Sequence, residues 1–199
     1  MKILLSVPTF ETIEPDTFKS IYGLDPCGHT VLFNFCRGYD CAKARNEIAK
    51  EAVDGGYDAV LMVDSDIILP ADALAHLTNP FTDICLGVYP RKMTVTGQTE
   101  LFWPGYTDFN DQNNISIAEL AGCGQKRIEI MGGGMGCALI ATHVFKTIPF
   151  PWFTYVTYPN GDVLSEDLDF CCKAGQAGFK IYADTRVHCG HIGKCAKYD

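Results

Sequence analysis

Apolar residues fall along the first ninety positions in short continuous runs separated by polar breaks that carry Gly, Pro, Asn and Asp. "KILLSVPT" is such a run and stops at a proline, the pattern of a strand buried on both faces and ending in a loop. "TVLFNFC" predicts a second strand. "DCAKARNEIAKEAVDGG" changes to a helical period: Asp40 stands where a side chain caps a helix, alanine-rich turns follow, and Gly55-Gly56 stop it. "DAVLMV" is apolar throughout, so a third strand is expected near the centre of the sheet. "LPADALAHLTN" predicts a short helix with Pro70 in its first turn, and "DICLGVYP" a fourth strand.

The second half is less regular. Residues 91 to 130, with "RKMTVTGQTELFWPGYTDFNDQNN" at their start, are polar and turn-rich and predict a flexible insertion carrying aromatic side chains. Phe102, Trp103, Tyr106 and Phe109 are candidates for a ligand-binding platform, and more plainly for core. "KRIEIMGGGMGCALIATHVF" predicts a strand, a glycine-rich turn and a second strand or helix. Ser165 is a candidate cap for a helix whose first turn holds Glu166 and Asp167, with Gly175 and Gly178 at its end. "FKIYAD" predicts a last strand. Strands alternating with helices give an α/β fold with helices on both faces of a mostly parallel central sheet. No repeat or linker divides residues 1–199, so a single domain is expected.

Composition excludes several classes. The chain has 199 residues, 47% of them hydrophobic and 20% charged, which is globular and not disordered. Its net charge of −8 argues against nucleic acid bound by bulk electrostatics. "MKILLSVPTF" lacks the long apolar region and cleavage site of a signal peptide, and no run approaches the twenty apolar residues of a membrane span. A cytoplasmic protein without a transmembrane segment is the expectation. The 10 cysteines are scattered, several inside apolar runs, as small buried hydrophobes would be. "VHCGHIGKC" clusters two His and two Cys and leaves a structural zinc open.

Candidate chemistry centres on "VLMVDSDIILP". Asp64 and Asp66 interrupt an apolar run, and unpaired carboxylates are costly to bury. In an open α/β sheet ligands gather at the carboxyl ends of the strands, where "SVPT" and "VDSD" both lie. Hard oxygen ligands suit Mg²⁺ or Mn²⁺, usually completed by phosphate oxygens. A plainer reading has Asp66 capping the following helix. Glu166 and Asp167 could supply a general base or simply cap a helix. His188 and His191 are both candidate metal ligands; His191, between glycines in a loop, is preferred.

In their order along the chain these motifs resemble the GT-A glycosyltransferases, particularly short family-2-like members. The matching segments are "SVPT", "VLMVDSDIILP", "GGGMGCALI", "SEDLDFC" and "YADTRVHCGHIG". The resemblance implies a metal-dependent glycosyltransferase that moves a sugar from a nucleoside-diphosphate sugar, UDP-sugar favoured and GDP-sugar next, to a hydroxyl acceptor. It implies a nucleotide-binding half over 1–90 and an acceptor-binding half over 91–199. Pro8 and Thr9 match the turn that holds the base; Arg45, Asp64, Ser65, Gly133 and Gly134 would line the donor. Asp64, Asp66 and His191 would hold Mn²⁺ or Mg²⁺, with Asp64 also facing the ribose or sugar. Asp167, or else Glu166, would be the catalytic carboxylate. The rivals are a nucleotidyltransferase or phosphohydrolase using the same DxD site, and a non-catalytic zinc or nucleotide-binding module.

Overall fold

A computed structural model describes residues 1–92, 97–105 and 109–193. Its centre is a seven-stranded sheet built from β1 (Lys2–Thr9), β2 (Thr30–Arg37), β3 (Ala59–Val63), β4 (Ile84–Val88), β5 (Arg127–Ile130), β6 (Cys137–Ala141) and β7 (Ile181–His188), in the order β2-β1-β3-β6-β4-β7-β5. Pairings β1–β2, β1–β3 and β4–β7 are parallel; β6 and β5 run against their neighbours. Five of the seven strands therefore point one way, which makes the sheet mostly parallel and gathers their carboxyl ends on one rim.

Helices α1 (Pro15–Tyr22), α2 (Cys41–Asp54), α3 (Ala73–Leu77), α4 (Ile117–Gly122), α5 (Thr142–Thr147) and α6 (Glu166–Gln176) complete the chain. Strand side chains alternate between two cores because successive residues point to opposite faces. Leu4, Val60, Met62, Leu86 and Ile140 pack with Ile48 of α2, Phe145 of α5 and Phe170 of α6. Ile3, Leu5, Leu61, Val63 and Leu139 pack with Leu74 and Leu77 of α3. Every residue of β3 is buried, as its unbroken apolar run requires.

The expected helix cap at Asp40 is present: its carboxylate accepts from the Lys43 N–H at 3.0 Å. Other boundaries differ from expectation. Pro70 precedes α3 rather than opening it, because its carbonyl closes a separate turn with the Ala73 N–H at 3.1 Å. Gly175 lies inside α6; Gly178, at φ +88°, turns the chain away. Residues 91 to 130 are more structured than their composition suggests. Gln98–Phe102 pairs with Asn114–Ser116, Ser116 and Glu119 form a reciprocal capping box on α4, and β5 joins the main sheet. Phe102 is buried and meets Phe109 edge-on at 5.1 Å, and Trp103 packs against the same core, so these rings serve packing. Tyr106 lies outside the described residues.

Candidate active site at the strand ends

β3 ends at Val63 and the chain turns at once: the Ile67 N–H bonds to the Asp64 carbonyl at 3.1 Å. The Asp64 N–H is anchored on the Gly136 carbonyl and the Ser65 carbonyl accepts from Glu14. Both aspartates thus stand on the carboxyl rim. Beyond β7 the chain folds back so that Gly190–His191 pairs with Ile67–Ile68, setting His191 opposite Ile67. His191 Nε2 comes to 3.6 Å from Asp66 Oδ1.

The protonation of that imidazole follows from its other nitrogen. Nδ1 lies 2.8 Å from the Pro90 carbonyl oxygen, which can only accept, so Nδ1 carries the proton. Nε2 then directs a lone pair toward Asp66. A cation placed between that lone pair and the Asp66 oxygen would be held by both. The ring is held edge-on against Tyr89, and the Tyr89 hydroxyl accepts from the Gly136 N–H at 2.9 Å. Lys92 forms an ion pair with the other oxygen of Asp66. Asp66 does not cap α3.

Asp64 faces another way. Its two oxygens accept from Arg45 Nη1 at 2.9 Å and Nη2 at 3.3 Å, and Arg45 Nε donates to Glu166 at 3.3 Å. Arg45 is 3% exposed. Burial alone would lower its pKa, but the Asp64 and Glu166 carboxylates more than reverse that and hold it protonated. Burial raises the Glu166 pKa above the usual carboxylate range, with Arg45 opposing. Tyr155 stands near the same carboxylate, and burial beside it pushes the Tyr155 pKa up. Asp167 is half-buried at the start of α6 and accepts from the Ser165 hydroxyl and from the Leu168 N–H at 2.9 Å. Ser165 therefore binds Asp167 instead of capping the helix.

The structure brings Asp66 and His191 together, and joins Asp64 to Arg45 and Glu166 as a second cluster. Asp64 is turned away from the Asp66–His191 pair because a buried guanidinium requires its counter-charges close by. Among the described residues no group of three His, Cys, Asp or Glu side chains is placed to hold a metal. One carboxylate oxygen and one oriented imidazole nitrogen fit a divalent cation that takes its remaining positions from phosphate and water. His188 is exposed, beside Ile117 and Lys126 and in a cleft shared with Tyr89 and Pro90, and forms no contact with Asp66 among the described ion pairs. Cys189 is buried beside Cys137, and Cys195 lies outside the described residues.

Arg45, expected to line the donor, instead has its guanidinium engaged by the two carboxylates. Gly133 and Gly134 also serve packing: a Cβ on Gly133 would stand 2.7 Å from Leu101, and one on Gly134 would strike the Tyr89 hydroxyl. Pro8 is buried within β1, while Thr9 opens onto a cleft of about 360 Å³ between the ends of β1 and β2.

No family model matches the chain, and no curated protein matches it. Solved structures do. A197 from STIV superposes with a TM-score of 0.63 at 16% identity, over 98% of this chain and 87% of that one. GalNAc-T7 with UDP, GalNAc and Mn²⁺ gives 0.62 at 13%, over 96% of this chain and 44% of that one. S. aureus TarS 1–349 in complex with UDP-GlcNAc gives 0.55 at 15%, over 100% of this chain and 62% of that one. The fold is GT-A. The chain spans less than two thirds of the GalNAc-T7 and TarS chains.

Sequence reasoning did not single out Tyr89, Pro90, Lys92 or Tyr155, which the structure places around these clusters. The first three follow β4 directly in "YPRK", and the end of a co-directional strand was the signal that would have found them. Tyr155 carries no such signal, since its segment precedes α6 by a turn-rich loop.

Proposed function

We propose that the protein is a metal-dependent glycosyltransferase that moves a sugar from a nucleoside-diphosphate sugar to a hydroxyl acceptor. The observation that carries this reading is the Asp66–His191 pair, with Nε2 oriented by the Pro90 carbonyl, on the carboxyl rim of a GT-A sheet. Asp66 and His191 would hold Mn²⁺ or Mg²⁺, which when bound supplies positive charge against the leaving diphosphate. Lys92, freed from Asp66, has the reach and charge to bind a phosphate oxygen. Ser65, at the apex of the turn, presents its hydroxyl and N–H to the donor. Arg45 holds both Asp64 oxygens, so Asp64 shapes the edge of the donor site and does not bind the metal.

On the acceptor side Asp167 is the better proton acceptor. It is more accessible than Glu166, whose buried carboxylate is held by Arg45. Asp167 takes the acceptor proton as the oxygen attacks the sugar, and Glu166 acts as a positioning residue for Arg45. Residues 1–90 supply the donor-side Thr9 and Asp66, and residues 91–199 the acceptor-side carboxylates; His191 crosses from the second part to the first. The direct test is release of nucleoside diphosphate from UDP- and GDP-sugars with Mn²⁺. Asp66→Ala should reduce it by a hundredfold or more, and release that is unchanged in Asp66→Ala contradicts the reading.

A further inference from the structure

The cleft between β1 and β2 is lined by Thr9, Glu11, Thr12, Ile13, Phe35 and Arg37. It opens on the rim that carries Asp66, and the loop leaving it is tied to the aspartate turn by the Glu14 N–H on the Ser65 carbonyl at 2.9 Å. A nucleoside seated here would place its diphosphate toward Asp66. Phe35 is 36% exposed, with its ring in a T-shaped contact 4.6 Å from that of Phe33, and its remaining surface is available for stacking. Two residues of opposite charge, Glu11 and Arg37, are among those that line the cleft. Arg37 donates one Nη2 hydrogen to the Glu11 carbonyl at 3.0 Å, which steadies the guanidinium and leaves its other end-on hydrogens available.

We infer that this cleft selects guanine, so that the donor is a GDP-sugar and not the UDP-sugar that the motifs alone favour; this rests on the donor reading above. A guanidinium end presents two parallel donors and suits two adjacent acceptors, as in its bidentate contact with guanine O6 and N7. A carboxylate presents two acceptors and suits two adjacent donors, which guanine offers as N1–H and its 2-amino group. Uracil has one ring N–H between two separated carbonyls and satisfies neither group bidentately. Adenine sets its amino donor beside N7, which breaks the acceptor pair. Cytosine offers O2 and N3 to Arg37 and only its amino group to Glu11. Guanine alone has one edge for Arg37 and another for Glu11.

Binding of GDP, UDP, CDP, ADP and IDP, each with Mn²⁺, measured by calorimetry on the whole chain tests this. GDP should bind about tenfold or more tighter than UDP, and Arg37→Ala should lose about ten- to hundredfold in GDP affinity while leaving UDP nearly unchanged. IDP lacks the 2-amino group, so it should bind more weakly than GDP to the wild type and nearly equally to Glu11→Gln. Both positions are exposed, and circular dichroism checks that the variants fold. Tighter binding of UDP or CDP than of GDP overturns the guanine assignment and leaves the donor reading standing. A GDP:IDP ratio near one in the wild type removes Glu11 from it. Absence of binding by every diphosphate overturns the donor reading and this inference with it.

Discussion

Replacing Arg45 with Met removes the cation between two carboxylates and leaves Glu166, with a side chain 7% exposed, charged and unpaired inside the protein. Breaking a buried ion pair from one side costs about 3–5 kcal/mol, because the remaining charge loses its partner without regaining water. Asp64 is 32% exposed and contributes less, since water screens it. For a chain of this size the loss lowers Tm by roughly 6–20 °C. The pH dependence identifies the cause. Burial already raises the Glu166 pKa in the folded protein, and Arg45 opposes that rise. A carboxyl with a raised folded pKa favours the folded state most at low pH, and that benefit fades as pH climbs through its folded pKa. Removing Arg45 raises that pKa further, so the variant should lose more stability at pH 8 than at pH 5. Arg45→Met with Glu166→Gln should recover much of the loss. Urea unfolding at the two pH values measures all of this. A deficit under about 1 kcal/mol, or one independent of pH, would refute the reasoning.

Three further outcomes are expected. Asp184 is fully buried between Arg127, 3.0 Å away, and Arg186; burial opposes its ionisation, yet hydrogen bonds from both arginines hold its pKa below the usual range. Asp184→Asn should cost about 3 kcal/mol at pH 7 in chemical denaturation, and the deficit should shrink as pH falls through the native Asp184 pKa, where that stabilisation is lost in the wild type as well. Tyr89→Phe orphans the buried Gly136 N–H and should cost about 1–3 kcal/mol by the same method, while Mn²⁺ binding is little changed because phenylalanine keeps the ring that packs on His191. Gly133→Ala should cost about 1–3 kcal/mol through overpacking against Leu101, with diphosphate affinity unchanged once folded.

The α/β rhythm was legible because strands buried on both faces leave unbroken apolar runs, as in "AVLMV" of β3. The rim position of Asp64 and Asp66 followed from where such a run stops. Partner choice was not legible. Nothing local in "CAKARNEI" says that Arg45 turns inward to bind carboxylates 19 and 121 residues away. The glycines of "GGGMG" suggested room for a ligand, yet the space they leave is taken by Leu101 and Tyr89 from other elements. Segment 91–130 hid its strand pair because its apolar residues pack across elements without a local period. The preference for His191 over His188 rested on loop context; in the structure the turn after β7 sets His191 opposite Ile67 and 3.6 Å from Asp66.

The most direct measurement is electron paramagnetic resonance of Mn²⁺ titrated into the protein with a nucleoside diphosphate present. The account predicts a bound signal in the wild type and in His188→Ala that is lost in Asp66→Asn and His191→Ala. Binding that survives both of those substitutions, or that disappears with His188, would contradict it.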